Sequence, residues 1–173
     1  MESDPTLPPQ LEKPPILFHA SRSATIDVFE PRNEHTRDAT EGPRVFATPS
    51  RALASLFLVE SDDSWVQSGM MDSTPYIIIS DEARFRALDT GGAIYSLPSD
   101  TFDCDPNKGL REFEWTSAQP VTPTEKEIIP SALDDMVAQG VRIYFVDKDV
   151  FDAIQHAPDN GESIVGQLTT YHP

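Results

Sequence analysis

The apolar residues of this chain come in short runs: Ile16 to Phe18, Val45 to Ala47, Leu56 to Val59, Tyr76 to Ile79, Ala93 to Leu97 and Val141 to Val146. Runs of this length suit buried strands or a turn or two of core helix, and none approaches the ~20 apolar residues of a membrane span. Strand-like and helix-like runs alternate without a regular order. That argues for an α+β domain, with a mixed, mainly antiparallel sheet and a few short helices, over a doubly wound parallel sheet.

The residues between the runs sharpen this outline. Met1 to Pro15 carries five prolines and no apolar periodicity, which reads as a flexible leader (1–15) before a single α+β domain (16–173). A strand over Ile16 to Phe18 ends at His19. The polar stretch Pro31 to Pro43 reads as an exposed loop, the kind that can lie over a site. Arg44 to Ala47 reads as a second strand. Ser50 caps a helix through Val59, with Ala52, Leu53, Leu56 and Phe57 on one face. Tyr76 to Ile79 and Ala93 to Leu97 read as strands, and Asp81 to Arg86 as a short helix or turn. Arg111 to Ser117 follows as a further strand. Ser131 caps a helix that Gly140 stops. Val141 to Val146 is apolar enough for a central strand. A helix from Asp147 to Pro158 and an edge strand over Ser163 to Leu168 complete the expectation.

The chain has 173 residues and a formal charge of −16, which repels phosphate backbones and anionic headgroups. Double-stranded nucleic acid and membranes are therefore excluded as main partners, leaving a small nucleotide-like ligand and a protein as candidates. A nest of N–H groups or one Arg can still reverse the sign inside a pocket. With Cys104 as the one cysteine, no internal disulfide forms, and a reducing compartment, cytoplasmic or nuclear, is expected.

The common catalytic signatures, GxxxxGK, GxGxxG, GxSxG and HExxH, are missing. The four histidines are scattered, and the group Glu34, His35, Asp38 and Glu41 reads as a solvated charged loop. No metal site is expected. Three places remain. His19 stands at a strand end before small residues and is either a structural hydrogen-bonding histidine or part of a site. Thr48 and Ser50 flank Pro49 at the next strand's end. In a strand over Arg111 to Ser117, Phe113 and Trp115 would face the core and Glu112 and Glu114 the other side. Two carboxylates ~7 Å apart would repel by about 0.6 kcal/mol in water and about 2.4 kcal/mol at an effective dielectric of 20. In a cleft that raises the pKa of one of them.

Taken in order, a strand ending His19-Ala20-Ser21, a strand Val45-Phe46-Ala47-Thr48 leading into a helix, and a later strand bearing glutamate resemble the ADP-ribosyltransferase family. The resemblance implies that His19 and Ser21 hold NAD, that Phe46, Thr48 and Phe57 line the nicotinamide, and that Glu114 or Glu112 is the catalytic carboxylate. NAD would be the substrate and ADP-ribose the group transferred. Two departures stand out: Ala20 follows the histidine where many members have Gly, and no Tyr is present in the second strand. Nearly all of the chain after the leader is also similar to a set of small microbial proteins sharing HAS, VFATP, GLxExEW and a VYFVD-type strand, which brings no activity with it. The alternative reading is a non-catalytic module of the same fold that binds a ligand or a protein.

Overall fold

The computed structural model describes residues 12–33 and 37–173. In chain order the elements are β1 (Ile16–Ser21), β2 (Val45–Ala47), α1 (Arg51–Ser55), β3 (Val66–Met71), β4 (Thr74–Ile79), α2 (Glu82–Leu88) and β5 (Gly92–Pro98). Then come β6 (Phe102–Cys104), β7 (Trp115–Ser117), β8 (Glu125–Ile129), α3 (Ala132–Ala138), β9 (Arg142–Phe145), α4 (Lys148–His156) and α5 (Glu162–Val165). The fold is α+β. Three three-stranded sheets have the orders β1-β5-β8, β2-β7-β6 and β3-β4-β9, and every pairing is antiparallel except β4 with β9. Among the described residues no helix is long and apolar enough to cross a membrane.

The first two sheets are joined. The Phe18 amide donates to the Thr48 carbonyl at 2.7 Å and the Thr48 amide returns a bond to Phe18 at 2.9 Å, so β1 runs on into the residue after β2. Side chains alternate across this joined surface. Leu17, Tyr95, Val45, Ala47, Phe102 and Trp115 meet in one cluster with Phe29 and Val121. Ala20 and Ile94, on the other face, pack with Leu53, Leu133 and Met136 beneath α1 and α3, together with Ile77, Ile79 and Ile143. On the far side of the third sheet, Ile78 and Tyr144 pack on Phe151, Ile154 and Val165 of α4 and α5.

Val141 to Val146 is not central, because β9 pairs only with β4. It is apolar because both its faces are covered, Ile143 on one side and Tyr144 on the other, and the Tyr171 amide closes its outer edge on the Ile143 carbonyl at 2.6 Å. The helix through Val59 stops at Ser55, whose hydroxyl bonds back to the Ala52 carbonyl at 2.6 Å. Such back-bonding bends helices, and the next amides tighten to i−3 bonds. Phe57 is thereby turned out and is 56% exposed.

Ser163 to Leu168 is no edge strand, since α5 covers Glu162–Val165. The Asp159 carboxylate accepts the Gly161 and Ser163 amides, and Ile164, Val165 and Leu168 pack at helical spacing. Arg111 to Ser117 also divides. A 3-10 turn over Arg111–Phe113 precedes β7, and Arg111 has φ +58°. Phe113 and Trp115 accordingly pack in different clusters. Three strands went unread, β3, β6 and β8. The exposed Glu125, Lys126 and Glu127 of β8 are what an edge strand carries.

Candidate functional site

The strands bearing the candidate residues are consecutive neighbours, since β1 is bridged to the end of β2 and β2 pairs with β7. His19 lies inside β1, not at its end. Its Nδ1 donates to the Phe46 carbonyl at 2.5 Å, and its ring lies 4.6 Å from that of Phe29. Burial there pushes the imidazole below its ordinary pKa, against the Phe46 hydrogen bond that pulls it up. Ser21 accepts the Ser23 amide at 3.1 Å. The loop beyond it folds back over the sheet, with Tyr95 Oη donating to the Ser23 carbonyl at 2.8 Å and accepting the Ile26 amide at 3.0 Å.

Register decides which side chains share a face. Phe46 is opposite Thr116, which is opposite Asp103. Ala47 is opposite Trp115, where the pairing ends, and Thr48 and Glu114 are the next residues along their strands, Glu114 extended at φ −124° and ψ 109°. Phe46, Thr48, Thr116 and Glu114 therefore lie on the face away from Trp115. His19, alternating with Leu17, lies on the Trp115 face. Thr48 is buried, with its hydroxyl accepting the Ser50 amide at 3.1 Å. Phe57 is exposed and packs in none of the core clusters.

The two glutamates have different surroundings. Glu112 is exposed, and only its carbonyl is engaged, accepting Trp115 Nε1 at 3.0 Å. The Glu114 carboxylate is 17% exposed. One oxygen accepts the Leu110 amide at 2.9 Å, and the other stands 3.6 Å from an Arg37 guanidinium nitrogen. A methyl group on Gly109, at φ +52°, would collide with this carboxylate. The space beneath Glu114 thus requires glycine.

Arg37, unnoticed in the sequence, lies at the centre of an ion-pair network. It donates twice to Glu41, at 3.2 and 3.1 Å. Lys108 bonds Asp38 at 2.6 Å and Glu41 at 3.4 Å. The Lys108 ammonium holds Asp38 well below the carboxylate range, and the Arg37 hydrogen bonds lower Glu41. The loop read as merely exposed is therefore tied, in its Arg37–Glu41 part, to the segment before β7. Glu34 and His35 of the acidic group lie outside the described residues, and Asp38 and Glu41 are committed to these cations.

A cavity of about 490 Å³ opens at Thr116 of the β2-β7-β6 sheet, lined by Arg37, Glu41, Arg44, Asp103, Asp105 and Thr116 among others, and neither Phe46 nor Glu114 lines it. That is within the size range of small-molecule sites. Arg44 donates to the Pro43 carbonyl at 3.1 Å, and among the described residues it makes no ion pair. Burial first, and the Asp105, Glu112 and Glu114 charges with it, push the Cys104 thiol up, so it is a poor nucleophile. Among the described residues no group of three potential ligands could hold a metal ion. No family model, curated protein or solved structure matches this chain.

Proposed function

We propose that the chain binds NAD on the Phe46 face of the β1, β2, β7 junction and transfers or releases ADP-ribose there, with Glu114 as the acting carboxylate. The observation that carries this reading is the Glu114 cradle. A mostly buried carboxylate is held by an amide and faced by a guanidinium, at the head of the strand next to β2. Cleavage of the nicotinamide bond develops positive charge on the ribose, and a fixed carboxylate beside it stabilises that charge. Phe46 and Thr48 share the face of Glu114 and orient the cofactor. His19 acts through Phe46, whose carbonyl it holds.

Nicotinamide release from NAD tests the choice of carboxylate. Glu114→Gln abolishes release while leaving most NAD binding, and Glu112→Gln leaves release near wild type. The reverse pattern would assign the reaction to Glu112, and full activity in both variants would refute the catalytic reading.

A second reading, a module that binds without catalysis, is favoured by one observation. The His19 ring stands 4.6 Å from that of Phe29 with Nδ1 already bonded to the Phe46 carbonyl, on the face opposite the Phe46 side chain, so it serves there as a structural hydrogen-bonding group. It predicts binding with no nicotinamide release by the wild type.

A further inference from the structure

The Arg37 side chain is only 9% exposed although it belongs to a polar loop, and its guanidinium is used unequally. Nε and Nη2 are bonded to the two oxygens of Glu41. Nη1 is buried and has no hydrogen-bond partner among the described residues. The nearest acidic atom is the Glu114 oxygen left over by the Leu110 amide, 3.6 Å away. A buried guanidinium nitrogen without an acceptor has lost its hydration with nothing in return, and a shift of a few tenths of an ångström toward Glu114 restores a partner. Glu41 anchors the guanidinium bidentately, so Nη1 is aimed by a rigid planar fork. Gly109 leaves the room beneath the carboxylate that this arrangement needs.

We propose that Arg37 is the positioning residue for Glu114, fixing the direction in which its carboxylate presents its free oxygen. This rests on the reading of Glu114 as the reacting group. Lys108 holds the same loop through Asp38 and Glu41 without touching Glu114, so it separates the positioning of a carboxylate from the tethering of a loop.

The test uses the full chain, wild type and Arg37→Gln, Arg37→Lys, Lys108→Met and Glu114→Gln, with two readouts. One is kcat and KM for nicotinamide release, and the other is the ¹³Cδ resonance of Glu114 in labelled protein at neutral pH. Arg37→Gln is expected to lower kcat about tenfold or more with KM for NAD within about threefold, and to move the Glu114 resonance. Arg37→Lys restores part of kcat, and Lys108→Met leaves both readouts near wild type. An unmoved resonance in Arg37→Gln overturns the proposal, as does Lys108→Met matching Arg37→Gln in both readouts. So does an unchanged kcat in Arg37→Gln when Glu114→Gln is inactive. If Glu114→Gln retains full activity the reading of Glu114 as the reacting group falls instead, and the resonance alone decides whether Arg37 directs Glu114. Should Arg37→Gln fail to fold, Arg37→Lys and Gly109→Ala, which crowds the same carboxylate, carry the comparison.

Discussion

The imidazole of His19 lies against Phe29 and donates Nδ1 to the Phe46 carbonyl, an environment that favours its neutral form. The unfolded chain titrates this group at about 6.5, so below that pH the unfolded state binds a proton the native state resists. His19 thus lends full stability above about pH 6.5, and that contribution falls as pH drops through this value toward the lower folded pKa. His19→Asn, which keeps a donor for Phe46, is expected to flatten the fall in unfolding free energy between about pH 7 and 5. Urea midpoints at a series of pH values read it, and an unchanged slope would show that His19 is not desolvated. Sequence reasoning found His19 as a candidate but not its face. In a strand, one residue of register decides between a site and the core, and only the pairing with β5 and Thr48 fixes it. Arg37 went unread because its one partner besides Glu41 among the described residues is Glu114, far along the chain, and its one local signal was a cation amid an acidic loop.

At the level of elements, the helix starts were legible because caps are local. Ser50, Asp81, Ser131 and Asp147 each accept an amide three residues on, as side chains at N-caps do. The start of α3 has a second, non-local cap. The Asp89 carboxylate accepts the Ala132 amide at 2.7 Å, the Leu133 amide at 3.0 Å and the Ser131 hydroxyl at 3.2 Å. It meets the exposed amides at the positive end of the helix dipole. Asp89→Ala is expected to destabilise by about 2 kcal/mol, more than the ~1 kcal/mol of Ser131→Ala. Chemical denaturation of both variants checks the order, and an equal or smaller loss for Asp89→Ala would contradict it. The segment Arg111 to Ser117 was misread for the opposite reason. Its alternation of Phe113, Trp115 and the two glutamates matches a strand, but the Glu114 carboxylate bonded to the Leu110 amide and the Trp115 indole bonded to the Glu112 carbonyl fold it into a turn. Side-chain bonds to nearby backbone compete with the ladder, and periodicity does not register them.

For the molecule as a whole, α+β class followed from short apolar runs without regular alternation. The order of strands did not, because the bridge between Phe18 and Thr48 that joins two sheets is a long-range contact. That bridge brings the strands of His19, Phe46 and Glu114 side by side. The cavity at Thr116 contains Arg44, a cation without an ion-pair partner among the described residues, together with the carboxylates of Glu41, Asp103 and Asp105. Arg44 is a cation that a phosphate of the proposed cofactor would meet there. Ligand binding to the native state alone stabilises by RT ln(1 + [L]/Kd). For a Kd of about 0.1 mM, roughly 1 mM NAD contributes about 1.4 kcal/mol, or a rise in Tm of about 3–6 °C for a chain of this size. The most direct test is therefore the Tm of the wild type and of Phe46→Ala with and without NAD. A rise of that order is expected in the wild type, and its loss in Phe46→Ala. A wild-type Tm that does not respond to millimolar NAD, or a Phe46→Ala variant that responds in full, would contradict it.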